Sequence, residues 1–406
     1  MKYALTAPAT LTGTIDLPAS KSISNRALLL SVLATGNIAV EHVANCDDTL
    51  VMQEALQKKQ SVIDIGAAGT AMRFLTAYFA TQEGNWILTG SERMKQRPIK
   101  LLVNALNTLG ASIRYLENEG FPPLEIRGKR LQGGELRLQG DVSSQYISAL
   151  LMIAPTLQQG LLLTLEGDIV SRPYIRMTLE MMKQFGVQCE WVNNLITVLP
   201  QPYHLCPFQV ESDWSAASYW YSMVALTSGS ILQLKGLTQN SLQGDAQCAD
   251  IFHSLGVHTT YHPDGITIES SGNHVSFFSY HFADQPDLAQ TIIVTCCLLG
   301  IPFRCDGLQS LKIKETDRIV ALINELAKLG YRLKQEEQGA LSWDGKKQEA
   351  TAPAVIETFN DHRMAMAFAV ASLRHPTIIA DPEVVSKSYP TFWDDLQKVG
   401  FSIEMV

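Results

Sequence analysis

Leu106-Asn-Thr-Leu-Gly110 closes one helical stretch, and the same ending returns four more times. An apolar residue, then glycine, then a strand-like run recurs at Met182-Lys-Gln-Phe-Gly186, Phe252-His-Ser-Leu-Gly256, Leu326-Ala-Lys-Leu-Gly330 and Leu396-Gln-Lys-Val-Gly400. Each glycine reads as the left-handed residue that closes a helix. By subtraction they lie 76, 70, 74 and 70 residues apart, a spacing that fits one βαβαββ unit. A sixth unit is expected ahead of Gly110. Its helix is read over Thr49 to Lys59, but this stretch ends without glycine, and Gln60-Ser-Val-Ile-Asp-Ile65 runs almost directly into Gly66-Ala-Ala-Gly69. Only 51 residues separate Lys59 from Gly110, so the first unit is expected to lack about one hairpin. Six units divide into two pseudo-symmetric α/β domains of three. The break is expected near Pro207 to Asp213, where Pro200, Pro202 and Pro207 precede a helix start at Asp213-Trp-Ser-Ala-Ala-Ser-Tyr219.

Working outward from the helix ends to the helix starts exposes a second pattern. Five helices are expected to begin with a basic residue in their first turn: Lys21 and Arg26, then Arg73, Arg318, Arg363 and Lys387. Cap chemistry precedes the cation in Gly69-Thr-Ala-Met-Arg73, Glu315-Thr-Asp-Arg318 and Asn360-Asp-His-Arg363. A helix N-terminus already carries about half a positive charge, so a cation there costs a few tenths of a kcal/mol without an anion. The pattern predicts an anion where these helix ends converge.

Composition narrows that anion. A formal net charge of -8 makes the cations local features of an acidic chain, which disfavours polymeric nucleic acid and favours a small, densely charged metabolite. The apolar run Thr291 to Phe303 is too short to cross a bilayer, and Met1 to Pro8 lacks the apolar core of a signal peptide. No membrane partner and a cytoplasmic location are expected. Seven cysteines without a Cys-x-x-Cys read as reduced and mostly core residues. Nine histidines show no ligand spacing, so neither metal nor cofactor is expected.

Nine motifs in collinear order resemble the 5-enolpyruvylshikimate 3-phosphate (EPSP) synthases. They run from Leu17-Pro-Ala-Ser-Lys-Ser-Ile-Ser-Asn-Arg26 through Ala68-Gly-Thr-Ala-Met-Arg73, Met94-Lys-Gln-Arg-Pro98, Val142-Ser-Ser-Gln145 and Ser171-Arg-Pro-Tyr174. The C-terminal part adds Pro286-Asp287, Lys314-Glu-Thr-Asp-Arg318, Asn360-Asp-His-Arg-Met364 and Lys387-Ser-Tyr-Pro390. The resemblance implies two inside-out α/β domains of three units each, joined by two crossovers, with the active site between them. It implies domains at 1–19 plus 211–406 and at 20–210. The implied reaction moves the enolpyruvyl group of phosphoenolpyruvate onto shikimate 3-phosphate by addition and elimination. Lys21, Gly69, Arg97, Gln145, Arg318, Arg363 and Lys387 would hold phosphoenolpyruvate. Lys21, Ser22, Arg26, Ser143, Ser144, Gln145, Ser171, Tyr174, Asp287 and Lys314 would hold shikimate 3-phosphate. Glu315 and Asp287 would be the acid-base groups, with Lys21 at the departing phosphate. A monomer is expected, and Gly69 implies sensitivity to glyphosate.

Taken singly, several of these residues have plainer readings. Lys314 to Arg318 reads as a solvated charge run, Asp287 as a helix cap, Gly66 to Gly69 as an ordinary turn and Ser143-Ser144 as a cap. His362 reads as packed, and Trp214 to Tyr221 as core. The chain also departs from the family pattern: Ala67 replaces the usual Asn, Phe74 the usual Pro, and Ser310 the usual Asn before Lys314, so Ala67 and Ser310 are left out of the site. Two rivals stand beside the main reading. A UDP-N-acetylglucosamine enolpyruvyl transferase would typically have Asn after Lys21 and a Cys in the loop before Arg97. This chain has Ser22 there, and Ser91 to Arg97 holds no Cys. A catalytically silent anion-binding scaffold would not need both Asp287 and Glu315.

Overall fold

A computed structural model of the chain describes residues 1–58, 60–350 and 353–406. It divides into two compact units, 1–19 with 211–406, and 20–210. The chain opens with β1 (Lys2–Thr6) and β2 (Thr12–Asp16). The 20–210 unit follows with α1 (Lys21–Thr35), α2 (Asp47–Gln57), β3 (Val62–Asp64), α3 (Gly69–Thr81), β4 (Gly84–Thr89), α4 (Lys100–Thr108), β5 (Ser112–Tyr115), β6 (Leu124–Gly128), β7 (Gly134–Gln139), α5 (Ser144–Ile153), β8 (Leu161–Glu166), α6 (Arg172–Gln184), β9 (Cys189–Val192) and β10 (Leu195–Val198). The other unit resumes with α7 (Trp214–Leu226), β11 (Ile231–Lys235), α8 (Cys248–Ser254), β12 (Val257–His262), β13 (Gly265–Ser270), β14 (Phe278–His281), α9 (Ala289–Leu299), β15 (Phe303–Asp306), α10 (Arg318–Lys328), β16 (Lys334–Gln335), β17 (Leu341–Trp343), β18 (Ala354–Ile356), α11 (His362–Ala369), β19 (Thr377–Ala380), α12 (Phe392–Lys398) and β20 (Ser402–Met405).

Five four-stranded sheets share one plan: β3-β4-β6-β5, β7-β8-β10-β9, β2-β11-β13-β12, β14-β15-β17-β16 and β18-β19-β1-β20. In each, the first pair is parallel and the two later pairs are antiparallel. A helix bridges each parallel pair, as a parallel step requires, and the second helix of the repeat ends at its left-handed glycine. Those five glycines, Gly110, Gly186, Gly256, Gly330 and Gly400, have φ between 82° and 101°.

The two first strands close the pattern at a distance in sequence. β2 is the opening strand of the sheet that continues with β11, and β1 lies between β19 and β20 in the last sheet. The chain therefore starts in the unit to which it returns after residue 210. Outgoing and returning segments run antiparallel where they pass, with Ala19 bridged to Ser212 and the Asp213 N–H donating to the Pro18 carbonyl at 2.9 Å.

The first repeat departs from expectation by more than one hairpin. It keeps α1 and α2, but among the described residues it has no four-stranded sheet of its own. Lys59, the last residue of the expected helix, lies outside the described residues.

The helices α1, α3, α5, α7, α9 and α11 are the buried ones. Residues 23–32, 71–80, 144 with 146–153, and 289–298 form nearly unbroken buried runs. A helix buried on every side belongs inside a domain, and in each unit these helices pack on one another while the sheets lie outside them. The aromatic stretch Trp214 to Tyr221 is core, as read from the sequence. All seven cysteines are free thiols, five of them buried. Among the described residues no helix is long and apolar enough to cross a membrane.

Candidate active site

In the 20–210 unit the expected substrate residues gather at helix starts. Lys21 and Ser22 open α1, Gly69 opens α3, Ser143 and Ser144 open α5, and Ser171 precedes α6 with Tyr174 in its first turn. None of these four helices has a side-chain cap or an acidic residue in its first turn. Ser20, Ser143 and Ser171 precede their helices without capping them through the hydroxyl. Ser171 instead sits at φ 53°, a left-handed conformation that costs a non-glycine residue about 1 kcal/mol or more and is the kind of strain sites retain.

Three contacts tie these starts together. Gln145 Nε2 donates to Thr70 Oγ1 at 3.1 Å, joining α5 to α3. Lys21 Nζ lies 3.1 Å from Asp48 Oδ2 on α2. Arg26, in the second turn of α1 rather than the first, donates from Nε to Thr178 Oγ1 at 2.7 Å, from Nη2 to Ser148 Oγ at 3.0 Å and from Nη1 to the Ser22 carbonyl at 2.9 Å. Its guanidinium also lies over the Phe74 ring, so one arginine links α1, α3, α5 and α6. Burial among these neutral groups lowers it to about 10, against a smaller opposing effect of Tyr174. Phe74, a departure from the family pattern, thus packs against a cation expected to bind substrate.

Arg97 follows a 3₁₀ turn over Met94–Gln96 and is buried against Gly69. A Cβ added at Gly69 would lie 2.6 Å from Arg97 Nη1, so glycine is what permits this approach. Arg73 behaves differently from the other cations. It sits in the second turn of α3 and donates to the carbonyls of Gly69 and Pro98, each at 3.2 Å, which makes it an internal strut.

The other unit holds a tight ionic cluster. Asp287 precedes α9 but does not cap it, since Leu288 is the cap residue. Its Oδ2 accepts from Arg363 Nη2 at 2.8 Å, and its Oδ1 lies 3.4 Å from Arg318 Nη1 and 3.8 Å from Lys314 Nζ. Glu315 accepts from Arg318 Nη2 at 3.0 Å and pairs with Lys387 Nζ at 3.1 Å. Arg318 begins α10 and Arg363 lies in the first turn of α11, as expected. Lys387 does not open a helix: it ends a 3₁₀ turn over Pro382–Lys387, and reaches the cluster from there.

Sequence reading saw Asp361 only as a cap and missed its second bond. Its Oδ1 caps α11 by accepting from the Arg363 N–H at 2.9 Å, while Oδ2 accepts from Arg318 Nε at 2.7 Å. Although burial opposes the charge, Asp361, Glu315 and Asp287 together hold the Arg318 guanidinium above its ordinary value. Partial burial lowers Lys314, with Asp287 acting the other way. His362 is buried, as read, with Nδ1 3.8 Å from Asp361.

Asp245 was missed altogether. It is buried in a 3₁₀ turn (Gly244–Gln247) and accepts from the Ser215 hydroxyl. Burial, reinforced by Asp287, raises it to about 7. Tyr219 is pushed up to about 12 by burial, opposed by Arg363. Nothing in a Gln-Gly-Asp turn marks such a residue; the only available signal was its place just ahead of a short helix.

Lys314, Arg318, Arg363 and Lys387 thus face Asp287, Glu315 and Asp361 in a largely buried setting. Such a cluster attracts anions and keeps carboxylates beside the sites where those anions bind.

Comparison with known proteins gives the same direction. The family model for EPSP synthase (3-phosphoshikimate 1-carboxyvinyltransferase) matches residues 5–59 and 54–396. A 3-phosphoshikimate 1-carboxyvinyltransferase of Bacteroides fragilis (strain YCH46) is 56% identical over 407 residues, covering 100% of this chain and 99% of that protein. One of Haemophilus influenzae (strain ATCC 51907 / DSM 11121 / KW20 / Rd) is 37% identical over 421 residues, covering 95% and 96%. A solved structure of EPSP synthase from Acinetobacter baumannii shares the fold, with a TM-score of 0.78 at 22% identity and full coverage of both chains.

Proposed function

The chain belongs to the EPSP synthase family, and from that premise we propose how its residues divide the work. It is an enzyme that transfers the enolpyruvyl group of phosphoenolpyruvate to the 5-hydroxyl of shikimate 3-phosphate and releases phosphate, a step of aromatic biosynthesis. The units 1–19 with 211–406 and 20–210 act as its C-terminal and N-terminal enolpyruvyl transferase domains.

Each substrate carries a phosphate and a carboxylate, so four anionic groups must be received. Open helix starts and serine hydroxyls suit the acceptor, and guanidinium forks suit phosphoenolpyruvate. Ser22, Arg26, Ser143, Ser144, Ser171 and Tyr174, with Lys21, Gln145, Asp287 and Lys314, hold shikimate 3-phosphate. Arg26 spends most of its donors on Thr178, Ser148 and Ser22, so its main contribution is charge and order among the helices. Gly69, Arg97, Arg318, Arg363 and Lys387, with Lys21 and Gln145, hold phosphoenolpyruvate.

Glu315 delivers a proton to the vinyl carbon while the acceptor hydroxyl attacks the neighbouring carbon and gives its proton to Asp287. The tetrahedral adduct then expels phosphate, helped by Lys21, as Glu315 takes back a methyl proton and the double bond re-forms. The observation that carries this reading is the seating of both Asp287 and Glu315 among Lys314, Arg318, Arg363 and Lys387. The enzyme works on small molecules as a cytoplasmic monomer, without nucleic acid or membrane partner; a net charge of -8 supports the first exclusion. Phosphate release from phosphoenolpyruvate, measured on chelator-treated protein with shikimate 3-phosphate or UDP-N-acetylglucosamine, tests the reading. Release with the first acceptor alone is expected. Release with the UDP-sugar alone would transfer the assignment to the sister reaction.

A further inference from the structure

We propose that the C-terminal ionic cluster is paired with itself before phosphoenolpyruvate arrives and that the substrate enters by exchange. Asp287 and Glu315 are the carboxylates displaced, while Asp361 keeps its hold on Arg318 and acts as the positioning residue. This rests on the reading that Arg318, Arg363 and Lys387 receive phosphoenolpyruvate.

The three carboxylates differ in how firmly they are held. Asp361 is fully buried and anchored twice: it caps α11 and takes the Arg318 Nε–H at 2.7 Å, with Nη2 a further 3.3 Å from its other oxygen. Asp287 keeps 18% of its side chain exposed, accepts from Arg363 at 2.8 Å and from Arg318 at 3.4 Å, and lies in a turn ahead of α9. Glu315 keeps 13% exposed and lies in the irregular segment between the 3₁₀ turn Gln309–Ile313 and α10. The two carboxylates with access to solvent are therefore on segments free of helix or strand geometry, and the dry one is built into a helix end.

Competition follows from the chemistry of the groups. A phosphate brings more charge and more acceptor oxygens than one carboxylate, so it competes well for a guanidinium fork or an ammonium. As the substrate's groups take Arg363, Lys387 and the outer edge of Arg318, Asp287 and Glu315 are released from their cations. Both acid-base groups are thereby freed at the moment the substrate is seated. Asp361 must stay, because without it Arg318 loses the anchor that aims its Nη atoms at the cluster. The same binding event then fills the cation sites and uncovers the carboxylates that the chemistry uses.

The proposal assigns opposite signs to two removals of negative charge. Phosphoenolpyruvate is titrated by calorimetry into the whole chain without acceptor, so that no turnover occurs. Asp287→Asn removes a competitor and is expected to tighten binding about fivefold, whereas Asp361→Asn, which keeps a good cap residue, is expected to weaken it about tenfold. A general charge effect would tighten both, and a general structural effect would weaken both. Either pattern, or no change in either variant, overturns the exchange. Exposed Asp264→Asn serves as the distant-charge control and is expected to bind like the parent. Should Asp361→Asn fail to fold, Arg318→Lys takes its place, since it keeps the charge but cannot span Asp361 and the cluster; it is expected to weaken binding, and unchanged or tighter binding contradicts the proposal. Acceptor-dependent phosphate release is measured separately, so an error in the substrate reading shows there and leaves the signs of the binding changes to judge the exchange.

Discussion

In the 20–210 unit, α1, α3, α5 and α6 start at Ser20, Ala68, Ser143 and Ser171 with no side-chain cap, whereas in the other unit Asp213, Asp317 and Asp361 cap α7, α10 and α11. Both units are built on one repeat, yet they hold positive charge in different forms. Open helix starts offer backbone N–H groups and a dipole, which suit a ligand that supplies the missing acceptors. Those three capped starts have already used that capacity, while α8, α9 and α12 of the same unit have no side-chain cap, and this unit carries side-chain cations interleaved with carboxylates. The contrast supports the proposal that acid-base chemistry falls to the second unit, where Asp287 and Glu315 sit among Lys314, Arg318, Arg363 and Lys387. On the same proposal the open starts of α1, α3, α5 and α6 receive the acceptor.

The largest test of this division is Glu315→Gln. The change keeps shape and removes proton transfer, so turnover should fall by about a hundredfold to ten-thousandfold while phosphoenolpyruvate still binds. Near-normal turnover in steady-state kinetics would take Glu315 out of the chemistry and erase the contrast.

A pH test probes the same unit through Asp245. Its folded value is raised to about 7 from an ordinary 3.8, so between these values the folded state keeps a proton that the unfolded chain has released. Stability attributable to this group is fully present below about pH 4 and declines as pH rises to about 7, by up to about 4 kcal/mol in total. Asp245→Asn should therefore raise Tm relative to the parent at pH 7.5 and lose that advantage near pH 4. An advantage that is the same at both pH values would mean that Asp245 is not held protonated in the folded protein.

Gly69→Ala sharpens the other side of the comparison. The new methyl would press on Arg97 at 2.6 Å, at the start of α3. Glyphosate is slightly longer than phosphoenolpyruvate, so its inhibition constant should rise about tenfold more than the Michaelis constant for the substrate. Equal losses would show that Gly69 does not line the inhibitor's end of the site. The smallest effect is expected from Asp317→Ala, which removes acceptors from the Ile319 and Val320 N–H groups and should cost about 1 kcal/mol in chemical denaturation.

The sequence made the repeat legible because a helix end needs a residue that tolerates positive φ, and glycine supplies it at Gly110, Gly186, Gly256, Gly330 and Gly400. Helix starts at Arg318 and Arg363 were legible for a different local reason, the aspartate cap that precedes each. What stayed hidden depends on separation along the chain. Asp361 pairs with Arg318 across 43 residues, and Asp48 meets Lys21 across 27, so a cap-like or helix-start aspartate gave no sign of its partner. Lys387 was misread because a cation near a Pro-led turn looks like a helix start; the turn is 3₁₀ and ends at the lysine. Asp245 owes its raised value to burial and to Asp287, neither of which a single sequence displays.

The division of labour between the open helix starts and the cation cluster is tested most directly by titrating shikimate 3-phosphate into Ser171→Ala and Lys387→Met. The account predicts about tenfold weaker binding for Ser171→Ala, at the uncapped start of α6, and binding within about twofold of the parent for Lys387→Met. Unchanged affinity in the first together with a large loss in the second would contradict it.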